Sequence, residues 1–343
     1  MDPIDPVALT CALVDIDSTT GQEGEAGVWL ARFLRNRGYR VMQQPVSGDR
    51  FNVFARLDEA PQLVFSTHFD CVPPFFRSRQ ERGLIVGRGS CDAKGILAAQ
   101  VAAAEQLRAA GETRVGLLFV VGEERGSDGA RVANDTAPPG VRYLVNGEPT
   151  ENRLGAATRG LLRVRLRAQG RAAHSAFPEL GDSAIDKLLD ALMVIRGVQF
   201  PEDALLGRTH YTVGLIEGGV APNVVSAHAS AELLFRIVGD AAPVRAALNV
   251  VDGLVTIEQV LEVPAVRLHV DSGFETSVFP YATDVPALTN WGTPLLLGPG
   301  SIHVAHTDDE HVPVDELLAS VELYASLATR LLSGPQDPPR TVN

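Results

Sequence analysis

The sequence is poor in cysteine and contains no long hydrophobic run. Its 343 residues include only Cys11, Cys71 and Cys91, which show no C-x-x-C spacing. An odd number of dispersed cysteines argues against both a disulfide framework and a zinc–thiolate site. No stretch reaches the ~18 apolar residues of a membrane-spanning helix. The first residues carry acids and prolines instead of the basic and apolar regions of a secretory signal. We therefore expect a cytoplasmic protein that does not enter a membrane.

Basic residues are also scarce. The chain has 30 Lys and Arg against 42 Asp and Glu, a net charge of −12, and no block of basic residues. Proteins that bind nucleic acid or anionic membranes usually present a basic patch. We therefore expect neither partner and favour a small-molecule substrate. The length predicts two domains, at roughly 100–200 residues per domain.

The first part of the sequence alternates between strand and helix patterns. Short apolar segments at 62–67, 114–121 and 141–145 predict strands, and the Ala/Leu-rich segment 96–110 predicts a helix. Segment 114–121 is almost continuously apolar, as in a central strand covered on both faces. Alternating strands and helices predict the α/β class, with a mostly parallel sheet flanked by helices.

The pattern changes after Gly160. Between 162 and 168, apolar residues alternate with arginines, which predicts a strand with one face in water. A helix, two further strand-like segments and another helix follow up to 251. We expect a small α+β domain at 158–269, inserted into a catalytic domain formed by 1–157 and 270–343.

Acids and histidines follow three of the predicted strands. His68 and Asp70 end the first strand, Glu123 and Glu124 end the central one, and Glu148 ends the next. Because the carboxyl ends of parallel strands meet at one edge of a sheet, this distribution predicts a site there. A surface histidine and a turn-forming aspartate are the alternative interpretation of the first pair.

Two local arrangements favour a metal site. His68 and Asp70 are two residues apart and face the same way in an extended chain, so the carboxylate can fix the tautomer of a metal-binding imidazole. Glu123 and Glu124 are adjacent carboxylates at the end of a buried strand. Their ionisation is costly without a nearby cation, although a pair exposed in a loop would carry no such cost. A divalent metal ion would remove the cost.

Asp92 lies in the glycine-containing segment 87–95, before a predicted helix. The phosphate-loop order G-x-x-x-x-G-K-[ST] is absent because Lys94 precedes Gly95 and Ile96 follows it. The G-x-G-x-x-G dinucleotide pattern is absent too, which argues against a Rossmann dehydrogenase. Asp92 is thus either a site residue or a helix cap.

Seven segments, in one order along nearly the whole chain, carry a family resemblance. They are Ser66–Asp70, Gly87–Gly95, Gly122–Glu124, Asn146–Pro149, Gly170–Ser175, Gly218–Asn223 and Ala305–Glu310. On these segments the chain resembles the co-catalytic zinc amidohydrolases, which include acetylornithine deacetylase, succinyl-diaminopimelate desuccinylase, aminoacylase and carboxypeptidase G.

The resemblance implies two divalent metal ions. Asp92 would bridge both ions, His68 and Glu148 would complete one site, and Glu124 and His306 the other. The donor set of oxygen and imidazole suits zinc, with cobalt or manganese as alternatives. The peptide bond after Asp92 is expected to be cis.

The resemblance also implies catalytic roles. Glu123 would be the general base, with Asp70 orienting His68. His306 is preferred to its neighbour His303 because it matches the A-H-x-x-D-E pattern. If the chain were a non-catalytic binding protein on the same fold, we would expect Glu123 or a metal ligand to be missing.

The remaining implied site residues lie in the small domain. His174 would stabilise the oxyanion in the site of a partner subunit, which implies a homodimer through this domain; a plain loop histidine is the alternative. Asn223 would contact the substrate, and the guanidinium fork of Arg236 would bind its carboxylate. The family pattern D-x-R-x-x-P is replaced here by Leu234–Gly239, which lacks the Asp and the Pro. An exposed strand arginine is thus the alternative for Arg236.

The implied reaction is metal-dependent hydrolysis of the amide bond of an N-acyl amino acid. N-Acetyl-L-ornithine or a related substrate such as N-acetylcitrulline is the first choice, with acetate and the free amino acid as products. The alternatives are a succinyl-diaminopimelate desuccinylase and a small metallo-carboxypeptidase or dipeptidase.

Overall fold

The computed structural model describes residues 2–57 and 60–334, so Met1, 58–59 and 335–343 of the predicted catalytic domain lie outside the described residues. The α-helices of the described part are α1 (Pro6–Val14), α2 (Gly24–Asn36), α3 (Lys94–Ala109), α4 (Asp128–Asp135), α5 (Ala184–Arg196), α6 (Ala242–Leu248) and α7 (Val314–Ser333). None of these helices is both long and apolar enough to cross a membrane.

The strands are numbered in chain order. They are β1 (Arg40–Ser47), β2 (Arg50–Arg56), β3 (Leu63–His68), β4 (Arg79–Glu81), β5 (Leu84–Val86), β6 (Val115–Val120), β7 (Tyr143–Asn146), β8 (Leu154–Thr158), β9 (Gly160–Gln169), β10 (Ala173–His174), β11 (Glu202–Asp203), β12 (Gly207–Arg208), β13 (His210–Gly218), β14 (Val224–Val225), β15 (His228–Ile237), β16 (Thr256–Val263), β17 (Val266–Arg267), β18 (Thr276–Phe279), β19 (Thr293–Leu296) and β20 (His311–Pro313).

The chain divides into two compact units. The first contains Met1–Ala156, Leu268–Ser277 and Thr283–Asn343, so far as these are described, and the second contains Ala157–Arg267 and Val278–Ala282. The second unit thus takes in 278–282, which the sequence prediction had assigned to the catalytic domain. The carbonyl of Phe279 accepts a hydrogen bond from the backbone N–H of Arg159, which ties this segment to the second unit.

The first unit is built on a six-stranded sheet in the order β1-β2-β6-β3-β7-β19. Strands β6, β3, β7 and β19 are parallel to one another. At one edge, β2 pairs antiparallel with β6, and β1 pairs antiparallel with β2. This confirms the predicted α/β class with helices flanking a central sheet.

The apolar segment 114–121 forms β6, in the middle of this sheet. Leu117 and Phe119 pack into a core that includes residues of α1, α3 and α7, whereas Leu118 and Val120 pack into a second core with α4 and Trp291. Because successive side chains of a strand point to opposite faces, a strand covered on both faces must be apolar at every position.

The second unit contains a four-stranded antiparallel sheet in the order β13-β15-β9-β16. In β9, Leu162, Val164 and Leu166 are buried against α5 and α6, as the alternating pattern predicted. The arginines between them lie on the other face, where Arg163 and Arg165 pair with Glu232. Strand β13 is an edge of the sheet.

Candidate metal centre

The predicted acids and histidines of the first unit follow the carboxyl ends of its parallel strands. His68 is the last residue of β3, and Glu148 lies two residues beyond β7. After β6 the chain turns through Gly122, which has a φ of 76°. A Cβ atom there would lie 1.8 Å from Asp128 Oδ1, so only glycine fits, and the turn leads directly into Glu123 and Glu124.

Asp92 lies between two imidazoles. His68 Nε2 is 2.9 Å from Asp92 Oδ1, and His306 Nε2 is 3.3 Å from Asp92 Oδ2. His306 Nε2 is also 2.8 Å from Glu124 Oε1. The two carboxylate oxygens of Asp92 therefore face different histidines, which is the arrangement that a bridging carboxylate requires. The Asp92–Ala93 peptide bond is cis, as the resemblance implied.

Two groups of donor atoms meet at Asp92. The first consists of His68, Asp92 and Glu148, and the second of Asp92, Glu124 and His306. Within each group the donor atoms lie within 4.8 Å of one another. Among the described residues, His303 belongs to neither group; it is exposed. The structure thus brings together the five predicted metal ligands in the predicted pairs.

Asp70 organises the far side of His68. The Nδ1 atom of His68 lies 3.0 Å from the backbone carbonyl oxygen of Asp70 and 3.5 Å from its Oδ1. Hydrogen bonding at Nδ1 leaves Nε2 directed at Asp92. Asp70 also accepts hydrogen bonds from the backbone N–H groups of Glu123 and Glu124 and from the hydroxyl of Thr20. It therefore holds the Glu123–Glu124 turn beside the imidazole.

The charges of the site are unbalanced. Burial raises the pKa of Glu148 well above its ordinary value, and Glu148 Oε1 has no hydrogen-bond partner in the described structure. Burial opposes ionisation of Asp92, but hydrogen bonds from His306 and His68 outweigh it and lower the pKa of Asp92. The same contact with Asp92, followed by that with Glu124, raises the pKa of His306 to about 10.

Glu123 is not among the two donor groups. Desolvation, followed by the charge of Glu148, raises the pKa of Glu123 well above its ordinary value. A carboxylate next to a cluster of donors but outside it can accept a proton without leaving a metal ion. These residues fit a pair of divalent cations. A cation could be bound by the unpartnered Glu148 oxygen, and the positive charge would offset the negative charge of the crowded carboxylates.

Sequence reasoning assigned no role to two other buried acids of the first unit. Asp284 is 1% exposed, and neither carboxylate oxygen has a hydrogen-bond partner in the described structure. Burial raises its pKa to about 6. Glu310 is fully buried and contacts the segment that carries Asp92. Glu310 lies in the A-H-x-x-D-E segment, so the motif contained a signal that the prediction did not use.

His174, Asn223 and Arg236 lie in the second unit. His174 in β10 pairs with Val224 in β14, and the carbonyl of Asn223 accepts a hydrogen bond from the backbone N–H of Ser175. His174 and Asn223 are therefore close neighbours on one short ribbon.

Arg236 is partly buried in β15. Among the described residues it makes no ion pair. Burial, followed by the charge of Arg159, lowers the pKa of Arg236. A partly buried guanidinium next to a second cation is a place where an anion would be stabilised.

Comparison with known proteins finds similar sequences and structures among peptidases. A sequence profile described as "Peptidase family M20/M25/M40" matches residues 64–330. A probable carboxypeptidase of Neosartorya fischeri is 37% identical, over 92% of this chain and 84% of the relative.

Two solved structures share the fold. A tripeptidase of Staphylococcus aureus has a TM-score of 0.80 at 20% identity, over 95% of this chain and 98% of the other. The Bacillus subtilis protein YXEP, described as a dinuclear metal-binding peptidase of the M20 family, has a TM-score of 0.73 at 14% identity, over 96% and 98%.

Proposed function

The chain belongs to the M20/M25/M40 peptidase family and is a hydrolase of that family, and from this premise we propose that it cleaves an amide bond next to a free carboxylate with two divalent metal ions. The observation that carries the proposal is the position of Asp92, whose two oxygens face His68 and His306. A bridging carboxylate between two imidazole-containing donor groups fits two ions that share a ligand.

We assign one ion to His68, Asp92 and Glu148 and the other to Asp92, Glu124 and His306. The donor set contains only imidazole and carboxylate, which suits zinc, with cobalt or manganese as alternatives. When bound, the ions would polarise the scissile carbonyl and the attacking water.

The protein's own groups move the proton. Glu123 would take a proton from the attacking water and later deliver it to the leaving amine, because its carboxylate lies outside both donor groups and stays free to exchange a proton. Asp70 holds His68 in the tautomer that presents Nε2 to the site.

For the substrate, we favour a small peptide that loses its C-terminal residue. The relative from Neosartorya fischeri described above is a probable carboxypeptidase, and a peptide's C-terminal residue is an N-acyl amino acid. Arg236 and Asn223 would bind the amino-acid part, with the guanidinium on the carboxylate. Arg236 is partly buried and makes no ion pair with a residue that the structure describes, which supports this role.

Deacetylation of N-acetyl-L-ornithine or N-acetylcitrulline is the second candidate. It is favoured by the ordered segments that resemble the co-catalytic zinc amidohydrolases, a family that includes acetylornithine deacetylase. It uses the same centre and differs from the first candidate only in the acyl group and side chain.

We also propose a homodimer through the second unit. Strand β13 lies at a sheet edge, and its Leu215 and Ile216 are each 55% exposed. Helix α5 of the same unit exposes Leu189 and Met193. An unpaired edge with exposed apolar side chains is suited to a second copy of the strand. In such a dimer, we propose that His174 stabilises the oxyanion in the partner's site.

The test is a substrate panel with enzyme loaded with Zn²⁺ or Co²⁺. We would compare dipeptides, the same dipeptides with an amidated C-terminus, N-acetyl-L-ornithine, N-acetylcitrulline and succinyl-diaminopimelate. We expect the highest kcat/KM on free dipeptides and at least a tenfold loss on amidation, since a charged hydrogen bond contributes about 1.5–3 kcal/mol.

The control is Arg236→Ala, which should abolish the preference for the free carboxylate without changing the metal content. A higher kcat/KM on N-acetyl-L-ornithine would replace the first candidate with the second. If an enzyme that holds two metal ions hydrolysed none of these substrates, the proposal would be refuted.

A further inference from the structure

Glu310 makes an unusual set of contacts with the segment that carries Asp92. Its side chain is fully buried. Glu310 Oε1 accepts hydrogen bonds from three backbone N–H groups, those of Gly89 (2.9 Å), Asp92 (3.1 Å) and Cys91 (3.3 Å). Its Oε2 accepts one from the guanidinium of Arg88, which is also buried. One carboxylate thus satisfies several backbone donors of a tightly turned segment.

The backbone of Glu310 holds the other end of the same segment. Its carbonyl oxygen accepts a hydrogen bond from the N–H of Gly87 at 3.0 Å. The segment can approach so closely because Gly89, with a φ of 86°, has no side chain. A Cβ atom at Gly89 would lie 2.5 Å from Cys71 Sγ. The chain from Gly87 to Asp92 is therefore held at both ends by one residue.

Glu310 also follows His306 by four positions, so a single short segment carries His306 and holds the backbone of Asp92. The contact between His306 Nε2 and Asp92 Oδ2, 3.3 Å, lies between these two segments. If the 87–92 segment moved away from Glu310, the Asp92 carboxylate would move relative to both imidazoles.

We propose that Glu310 is a positioning residue that fixes the Asp92 carboxylate between His68 and His306. This inference rests on the metal centre proposed above and adds a residue that contacts the backbone of a ligand instead of the ions. Groups that orient a metal ligand typically change metal affinity or activity by 10–100-fold when they are replaced.

The experiment compares metal binding by wild type and Glu310→Gln. The metal-free proteins are titrated with Co²⁺ alone, and the visible absorption spectrum is recorded at saturation. In either orientation, the glutamine amide places an NH₂ group against a donor, either Arg88 or the backbone N–H groups. We expect the Co²⁺ dissociation constant to rise by about 10–100-fold and the bands of the saturated variant to shift.

The matched control is Glu105→Gln. Glu105 is 8% exposed and accepts hydrogen bonds from Arg37 and Arg108 near the far end of α3. At 1.5 Å per residue, it lies ~16 Å along the helix from Lys94, the residue at the site end. Its replacement removes a comparable acid–arginine pair, so the melting temperature should fall while Co²⁺ affinity and spectrum stay as in wild type.

Two outcomes would overturn the inference in different ways. A folded Glu310→Gln variant with wild-type affinity and spectrum would show that Glu310 supports only folding and would leave the metal centre intact. Absence of Co²⁺ binding by the wild type would refute the metal centre and this inference with it. Should Glu310→Gln fail to fold, Glu310→Asp, whose carboxylate is set back by ~1.5 Å, is measured against the same criteria.

Discussion

The two units of the chain treat charge in opposite ways. The first unit buries carboxylates at the end of its sheet, where Asp70, Asp92 and Glu148 are 0%, 6% and 4% exposed. The second unit keeps its charges on the open face of its sheet, where arginines of β9 pair with Glu232 and Glu258. It exposes apolar side chains on β13 instead.

This difference separates two kinds of requirement. Ionisation of several buried carboxylates is unfavourable until a cation binds near them. The negative charge buried in the first unit therefore indicates a bound cation. Surface ion pairs contribute little to stability, and their charges need no bound ion to balance them. An exposed apolar edge strand is less favourable than one covered by another strand, and the homodimer proposed above would cover β13.

The largest effect is expected at Glu123. Glu123→Gln should lower kcat by about 10²–10⁴-fold, the usual contribution of a general base, because an amide cannot accept the proton. Metal content should stay unchanged, since Glu123 lies outside both donor groups. The measurement is steady-state kinetics together with metal analysis.

The matched control comes from the second unit. Glu232→Gln removes a carboxylate that pairs with Arg163 and Arg165 on the open sheet face, and it should leave kcat unchanged. Near wild-type turnover in Glu123→Gln would refute its assignment as the base.

The next effect is expected on metal content, in variants of His306 and His303. His306→Ala should remove one of the two metal equivalents, because His306 Nε2 faces both Asp92 and Glu124. His303→Ala should retain both, since His303 is exposed and belongs to neither donor group. Metal analysis after dialysis checks this. The reverse pattern would make His303 the ligand.

The last effect is expected on assembly, and it concerns the edge strand β13. Leu215→Lys should shift the sedimentation coefficient toward that of a monomer, because a lysine on an edge strand opposes pairing. Metal content should not change. Val250→Lys, at a side chain 56% exposed elsewhere in the second unit, is the control. A wild-type chain that sediments as a monomer would contradict the proposed dimer.

Much of the fold was predictable because its signals are local. The apolar segments at 62–67, 114–121 and 141–145 correspond to β3, β6 and β7 within two residues. Alternation in β9 marked its buried face, since side-chain direction in a strand repeats every two residues. The positions of His68, Glu124 and Glu148 after strand ends followed from the same local patterns together with parallel pairing.

Other features depend on contacts between distant residues. Segment 278–282 belongs to the second unit, and its Phe279 carbonyl accepts a hydrogen bond from the backbone N–H of Arg159. No local sequence pattern predicts this contact. The burial of Asp284 without a hydrogen-bond partner depends on residues packed around it from elsewhere in the chain.

The amino-acid sequence by itself determined the α/β class, the predicted donors and the placement of acids at strand ends, because residue type and periodicity are properties of short segments. Only the tertiary structure decided which oxygen of Asp92 faces which histidine and what holds Asp92 in place. The contact between Glu310 and the backbone of Asp92 joins residues 218 positions apart. Such a contact exists only after both segments have folded onto the same end of the sheet, so its geometry is a property of packing and not of sequence pattern.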